Sequence, residues 1–108
     1  MKMAIFYLTC KDDWEADRIS KVLIDKKLVI CAKQVPVNSS YLWKGKRESA
    51  NEVLVMFESV EENFEKVNKE IKKLHSYETY VLYSTSVKQT TKEVEKWLEV
   101  EKWLEDEL

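Results

Sequence analysis

The sequence predicts an α+β domain in which helices cover one face of a four-stranded antiparallel sheet, with an extra helix at the C-terminus. Short, β-prone apolar runs alternate with segments whose apolar residues recur every three or four positions. Helix-capping residues precede each helical segment. The resulting order is β-α-β-β-α-β-α, and its first six elements are those of the ferredoxin-like βαββαβ sandwich.

The first part of the chain predicts a strand, a helix and a second strand. Residues 3–9 form an apolar, β-prone run, which predicts the first strand. Asp12 and Glu15 have the spacing of a capping box, so the first helix is expected over residues 13–27. Residues 28–37 are again rich in β-formers and predict the second strand.

A turn and a third strand follow. The polar residues 38–40 weaken the strand pattern, which resumes at residues 41–43. Gly45 is the only glycine in the chain, and a turn with positive φ is its natural use. Residues 53–57 predict the third strand.

Two more capping boxes mark the last two helices. Ser59 with Glu62 predicts the start of a second helix that ends near His75. The fourth strand is expected over residues 80–83, extending to residue 87, and Thr90 with Glu93 predicts the start of the final helix.

The predicted strands are apolar on both faces, which has a consequence for assembly. Strands one, three and four lack a clean alternation, and such strands need cover on both sides. One chain has too few helices for this, so we expect other subunits to cover the open face. The final helix repeats the motif VEKWLE, which points Trp97 and Trp103 in different directions. The second copy either faces a partner or forms an exposed, frayed end.

Composition excludes several functional classes. The 108 residues fit a single domain over residues 1–108, and the net charge of −2 argues against nucleic-acid binding. No apolar run reaches the length of roughly 20 residues that a membrane-spanning helix needs. A single glycine rules out a glycine-rich phosphate loop, and with no catalytic triad we expect no enzyme. Two cysteines without CxxC spacing are typical of a reducing cytoplasm.

Strand directions predict where the functional end lies. Cys10, the turn at residues 43–46 and His75 should share one end of the sheet, with Cys31 at the other, so no Cys10–Cys31 disulfide is expected. Thiolate and imidazole suit copper or zinc, which predicts a metal site at Cys10 and His75. A third ligand could come from Glu78, from residues 12–13 or from a neighbouring chain. Alternatively, His75 interacts only with the last carbonyls of its helix.

The turn itself is basic and aromatic. Lys44, Lys46 and Arg47 flank Trp43 and Tyr41. This group either binds an anion or a flat ligand, or it is a solvated hairpin tip.

Several motifs occur in the order of one known family. Residues 26–32 (KKLVICA) resemble the (K/R)LxACA stretch of the CutA family, and residues 41–46 (YLWKGK) resemble its YxWxGK turn. Residues 74–79 (LHSYET) resemble its HPYxxP motif, and residues 97–98 resemble the Trp-Leu pair of its last helix. The resemblance implies a ferredoxin-like homotrimer linked to tolerance of divalent metal ions, especially copper, with no required cofactor. It also implies an architecture similar to PII signalling proteins, so small-molecule sensing and a purely structural trimer are alternatives.

The resemblance also implies an inter-subunit cleft. The residues that match its motif positions are Tyr41, Trp43, Gly45, Lys46, His75 and Tyr77, and Glu78, next to Tyr77, is assigned to the cleft with them. Cys31 matches the family cysteine and is interpreted as structural. The family's metal cysteine aligns with Leu8, so Cys10, two residues on and on the same strand face, is its expected substitute. Both prolines of HPYxxP are replaced, by Ser76 and Tyr80.

Overall fold

In the described part of the chain, four strands form one antiparallel sheet, with the first and third strands in the centre, the second at the edge beside the third, and the fourth at the edge beside the first. The computed structural model describes residues 2–107, and the side chains of residues 2–101. A 3₁₀ turn at Glu61–Asn63 precedes α2. The elements are β1 Met3–Cys10, α1 Asp13–Asp25, β2 Cys31–Trp43, β3 Lys46–Val60, α2 Phe64–Leu74, β4 Leu82–Ser86 and α3 Lys92–Glu107. The predicted α+β architecture, with its βαββαβ order and additional C-terminal helix, is confirmed.

The core lies between one face of the sheet and helices α1 and α2. Burial alternates along β1, where every second residue from Ala4 to Cys10 is fully buried. The same alternation places Val55 and Phe57 of β3 on that face. The helices contribute a matching apolar stripe of Ala16, Ile19, Leu23, Val67 and Ile71. Helical spacing on α1 and α2 and strand spacing on β1 and β3 therefore meet in one cluster.

The first helix ends earlier, and the second strand begins later, than the sequence predicts. Lys27 adopts a positive φ of 58°, which terminates the helix, and the Leu28 N–H bonds back to the Leu23 carbonyl at 3.0 Å. The Leu28 carbonyl then accepts hydrogen bonds from Ser59 Oγ at 2.6 Å and from Asn63 Nδ2 at 3.0 Å. These buried bonds hold residues 26–30 as a connection, so the predicted strand start at residue 28 is wrong.

The three predicted capping boxes have different outcomes. Asp12 caps α1, because its Oδ1 accepts the Glu15 N–H at 2.9 Å. Ser59 caps no helix, because it lies in β3 and its hydroxyl is bonded to the Leu28 carbonyl. At α3 the cap is Thr91 rather than Thr90, with its Oγ1 accepting the Val94 N–H at 3.3 Å. Sequence spacing alone did not distinguish a capping serine from a buried strand serine.

Strands β2 and β3 form a long two-stranded ribbon that extends beyond the rest of the sheet. Strand β1 pairs with β3 only from Val53 to Val60, whereas β2 pairs with β3 as far as Trp43↔Lys46. The polar residues 38–40, which weaken the sequence pattern, continue the ladder, with Asn38 bonded to Asn51. Gly45 has a φ of 79° in the turn, as predicted. The predicted third strand was too short because polar ribbon residues carry no hydrophobic alternation.

The opposite face of the sheet carries apolar side chains that are only partly covered. Tyr7 lies directly opposite Met56 on β3 and Tyr83 on β4, and the two tyrosine rings are 5.6 Å apart. Leu54 pairs with Val35 one row along. Tyr83 is 56% exposed. A row of apolar side chains thus crosses the sheet on the side away from α1 and α2.

Among the described side chains of the C-terminal helix α3, residues 92–101, one is buried, and it belongs to the first repeat. Leu98 is buried, whereas Trp97 and Val100 keep much of their surface exposed. The side chain of Trp103, on which the prediction of two differently directed tryptophans depends, lies outside the described residues. Within residues 2–107, the helices are too short or too polar to cross a bilayer.

Two isoleucines of α1 test how much the core contributes to stability. Ile19 is fully buried and Ile24 is 41% exposed. We expect Ile19→Ala to lower the free energy of unfolding by about 2–5 kcal/mol. The matched control Ile24→Ala should cost about 1 kcal/mol or less. Urea unfolding measures both values, and equal losses would contradict this packing.

Candidate functional site

Three elements bring Cys10, Glu15 and His75 together. Cys10 ends β1, Glu15 lies in the first turn of α1, and His75 follows the last residue of α2. One potential ligand atom from each side chain lies within 4.8 Å of the other two. Strand direction correctly predicted that Cys10 and His75 share one end of the sheet. Glu15 was missed as a neighbour because its spacing from Asp12 indicated only a capping role.

His75 is held by hydrogen bonds at both ring nitrogens. Nε2 lies 2.8 Å from the Thr9 carbonyl, and Nδ1 accepts the Tyr77 N–H at 3.0 Å. Since a carbonyl only accepts, Nε2 carries the proton and donates, and the imidazole is neutral. The side chain is fully buried and its ring stacks on Tyr80 with centroids 4.9 Å apart. The ring therefore bonds to β1, not to the last carbonyls of its own helix.

Glu15 connects the start of α1 to the segment after α2. One carboxylate oxygen accepts the Lys11 N–H at 3.0 Å and the other accepts the Ser76 N–H at 2.7 Å. Oε1 also lies 3.8 Å from His75 Nδ1. Burial by itself would raise the pKa of Glu15, but the hydrogen bonds from Ser76 and Lys11 outweigh it and hold the pKa below its ordinary value. Glu15 is therefore a buried, charged acceptor.

The Cys10 thiol is buried beside acidic groups. Its side chain is fully buried at the end of β1. Burial, with the nearby carboxylates of Glu15, Asp12 and Glu52, raises the pKa of Cys10 to about 12. The protonated thiol neither attacks electrophiles nor binds a metal until its proton is displaced.

These three groups fit a divalent metal chemically, at a cost. Sulfur, imidazole nitrogen and carboxylate oxygen are a donor set suited to copper or zinc. However, both nitrogens of His75 and both oxygens of Glu15 already have hydrogen bonds, and Cys10 retains its proton. A metal must displace some of these, so the donor set favours weak binding.

The two cysteines lie far apart. Cys10 pairs with Val53 and Cys31 pairs with Glu58, five residues further along β3. At about 3.3 Å per residue this separation is well beyond the reach of a disulfide. Both thiols are free, as predicted. Cys31 is partly exposed, and its Sγ accepts a hydrogen bond from Lys33 Nζ at 3.5 Å.

A cleft of about 570 Å³ lies between the β2–β3 ribbon and residues 77–81. The predicted cleft residues Tyr41, Trp43, Tyr77 and Glu78 line it. Lys46 does not; it pairs with Trp43 at the tip of the ribbon. Glu78, expected as a possible metal ligand, thus lies in the cleft instead of beside Cys10. The remaining lining residues are Thr9, Ser39, Leu42, Glu52, Thr79 and Val81.

Glu52 is the cleft residue that the sequence did not indicate. It is only 9% exposed, and its Oε2 accepts the Tyr77 hydroxyl at 2.8 Å. Burial, followed by the hydrogen bond and charge of Glu52, raises the pKa of Tyr77, so the phenol stays a donor. Glu52 lies in the part of β3 that the sequence does not predict as a strand. No alternation of polar and apolar residues there indicated on which face of the sheet its side chain would lie.

The sequence of this chain is similar to one protein family and to several of its members. Residues 4–101 match the family described as CutA1 divalent ion tolerance protein. The divalent-cation tolerance protein CutA of Archaeoglobus fulgidus is 40% identical over 73 residues, covering 68% of this chain and 72% of that protein. That of Thermotoga maritima is 30% identical over 86 residues, covering 80% and 85%.

Solved structures show the same fold. The structure of the periplasmic divalent cation tolerance protein CutA from Archaeoglobus fulgidus superposes with a TM-score of 0.90 at 32% identity, covering 92% of this chain and 97% of that one. The crystal structure of CutA1 from Pyrococcus horikoshii has a TM-score of 0.86 at 28% identity, covering 91% and 96%.

Replacing Glu15 tests whether its charge holds the site together. In Glu15→Gln, an amide N–H₂ replaces one carboxylate oxygen and faces the backbone N–H of either Lys11 or Ser76, so that two donors meet. The lost hydrogen bond should lower the free energy of unfolding by about 1–3 kcal/mol at pH 7. Because the pKa of Glu15 is lowered, its contribution is present above the ordinary value of 4.5 and is lost as the pH falls through the folded-state pKa. The stability gap between wild type and variant should therefore shrink below pH 4.5.

Urea unfolding between pH 3 and 7 measures this gap. Glu65→Gln, on the exposed side of α2, removes the same charge and should change stability by about 0.5 kcal/mol or less at pH 7. A gap for Glu15→Gln that stays constant down to pH 3 would contradict the role of the carboxylate.

Proposed function

Because the chain belongs to the CutA family of divalent ion tolerance proteins, we propose that it binds a copper-type divalent ion weakly, as a homotrimer and without catalysis. The observation that supports metal binding is the convergence of Cys10, Glu15 and His75, with donor atoms within 4.8 Å of one another. A bound ion would take its ligands from these side chains. Cys10 and His75 are the two ligands expected from sequence, and Glu15 is the third.

The same contacts support weak binding. A closed structural metal site normally has four protein ligands, and this cluster offers three. The Cys10 thiol must lose a proton at a pKa of about 12, and the His75 ring must give up one of its two hydrogen bonds. Each of these subtracts from the affinity that the donor set would otherwise have.

The absence of catalysis is supported by the same groups. A general base needs a free lone pair that reaches the substrate, and a nucleophilic cysteine needs a thiolate. His75 has both nitrogens bonded and is buried, and Cys10 is buried and protonated. Neither group is presented to a substrate.

Metal titration tests the site. Zn(II) or anaerobic Cu(II), titrated calorimetrically, should bind wild type, and His75→Ala should weaken binding at least tenfold, or about 1.4 kcal/mol. Binding to the thiolate displaces one proton, so affinity should rise by up to about tenfold per pH unit between pH 6.5 and 8.5.

Cys10→Ser should abolish this pH dependence, and the matched variant Cys31→Ser should retain it. Equal affinities of wild type and His75→Ala would exclude His75 as a ligand.

The homotrimer is supported by the apolar face of the sheet. Tyr7, Met56 and Tyr83 form one row across three strands, with Val35 and Leu54 beside it. Large contiguous apolar surfaces on soluble proteins mark interaction sites. Neighbouring copies of the same chain would cover this face and satisfy the two-sided apolar pattern of the strands.

Light scattering tests the assembly. Wild type should have about three times the 12.9 kDa mass of one chain. Tyr83→Asp places a charge in the apolar row and should shift the protein toward monomer, because an interface buries this charge without a partner. Ser84→Asp puts the same charge on the other side of β4 and should leave the trimer intact. A monomeric wild type would overturn the proposal.

We place the protein in the cytoplasm. Two free cysteines too far apart to pair are compatible with a reducing compartment.

A second candidate function is small-molecule sensing. The cleft supports it, because Tyr41, Trp43, Tyr77 and Glu78 converge on one space of about 570 Å³. This volume is within the range of small-molecule sites. The cleft is distinct from the metal cluster, since Cys10, Glu15 and His75 do not line it.

A further inference from the structure

We propose that the cleft binds an organic cation, consisting of an ammonium group on an apolar or aromatic body. The proposal rests on the small-molecule role of this cleft and names the class of its ligand. It is independent of metal binding at Cys10, Glu15 and His75. Three properties of the lining support it, namely the sign of its charge, its aromatic rings and its exposed apolar side chains.

The charge of the lining is negative. Two of its residues are charged, Glu52 and Glu78, and no lysine, arginine or histidine lines the described cleft. Glu52 is about nine-tenths buried, and its hydrogen-bond partner is the neutral phenol of Tyr77. Neither carboxylate takes part in a salt bridge among the described side chains. A buried carboxylate without a cationic partner is costly, so a positively charged ligand relieves that cost.

The aromatic rings offer a second attraction for a cation. Tyr41, Trp43 and Tyr77 line the same space, and an ammonium near an aromatic face is attracted by the ring quadrupole. An ammonium group of the protein itself lies near one of these rings, since Lys44 Nζ is 6.0 Å from the centre of the Trp43 ring. Trp43 is half exposed, so the ring is also accessible to a ligand.

The remaining lining favours a ligand with an apolar body. Leu42 and Val81 both face the cleft with more than half of their surface exposed. Covering these side chains stabilises a complex by the hydrophobic effect. A bare metal ion would gain nothing from them, whereas an ammonium with a ring or alkyl group would cover them.

The same lining is unfavourable to an anion inside the cleft. Lys44, Lys46 and Arg47 do not line the cleft, and an anion placed there would face two carboxylates. The basic tip of the ribbon therefore lies beside the cleft without defining its ligand.

Three probes of similar size and different charge test the proposal on the full chain. Phenethylamine is a cation at pH 7, 2-phenylethanol is neutral and phenylacetate is an anion. Calorimetric titration at low salt should rank them in that order, with phenylacetate not binding. Affinity for phenethylamine should fall as salt rises, because screening weakens the attraction of the carboxylates.

Variants locate the site. Glu52→Gln keeps an acceptor for Tyr77, and it should weaken phenethylamine about threefold to tenfold, as should Trp43→Ala in the exposed ribbon. Glu65→Gln removes a charge outside the cleft and should change nothing. Cys10→Ser should alter Zn(II) binding without altering phenethylamine binding.

Three results of these titrations would contradict the charge of the ligand, the sensing role of the cleft or the location of the site. If 2-phenylethanol binds as tightly as phenethylamine, the cleft binds small molecules but the inference of a cation is wrong. If none of the three probes binds, both the cation and the sensing role are wrong, while the metal titration still decides the metal proposal. Phenethylamine affinity unchanged in both Glu52→Gln and Trp43→Ala would place any binding outside this cleft.

Discussion

The antiparallel register between β1 and β3 sets the position of every other feature of this protein. With Met3 opposite Val60 and Cys10 opposite Val53, each buried residue of β1 meets a partner of β3 on the same face. That face accepts α1 and α2. The other face then carries Tyr7 opposite Met56, which forms the apolar row. A shift of one residue would exchange the two faces and expose the core.

The same register places chemistry at one end of the sheet. Since β1 ends at Cys10, the chain turns there, and the first turn of the Asp12-capped helix places Glu15 beside the thiol. The carboxylate then reaches across to Ser76, which follows α2. The three connections are thereby joined by partly buried hydrogen bonds. Burial strengthens such bonds and raises the cost of losing one.

Tyr77 links the buried cluster to the cleft. Its backbone N–H donates to His75 Nδ1, and its hydroxyl donates to Glu52. One residue thus orients the imidazole on one side and a carboxylate on the other. The first of these sites carries the donor atoms of the proposed metal site, and the aromatic and acidic lining distinguishes the second. The two sites differ in chemistry, since one is buried and satisfied and the other is open and negatively charged.

Local patterns determined much of this protein by themselves. Apolar periodicity predicted the seven elements in order, because periodicity depends on residues near one another in the sequence. The directions of the strands that follow from this order predicted that Cys10 and His75 lie at the same end of the sheet. Tertiary structure decided the rest. Ser59 and Leu28 are 31 positions apart in the sequence. Only their hydrogen bond shows that the serine predicted to cap a helix belongs to a strand instead. Likewise Glu52 enters the cleft, and Lys46 stays outside it, because cross-strand pairing sets the direction and length of the ribbon. Such pairing joins distant residues, whose contacts leave no periodic trace along the chain.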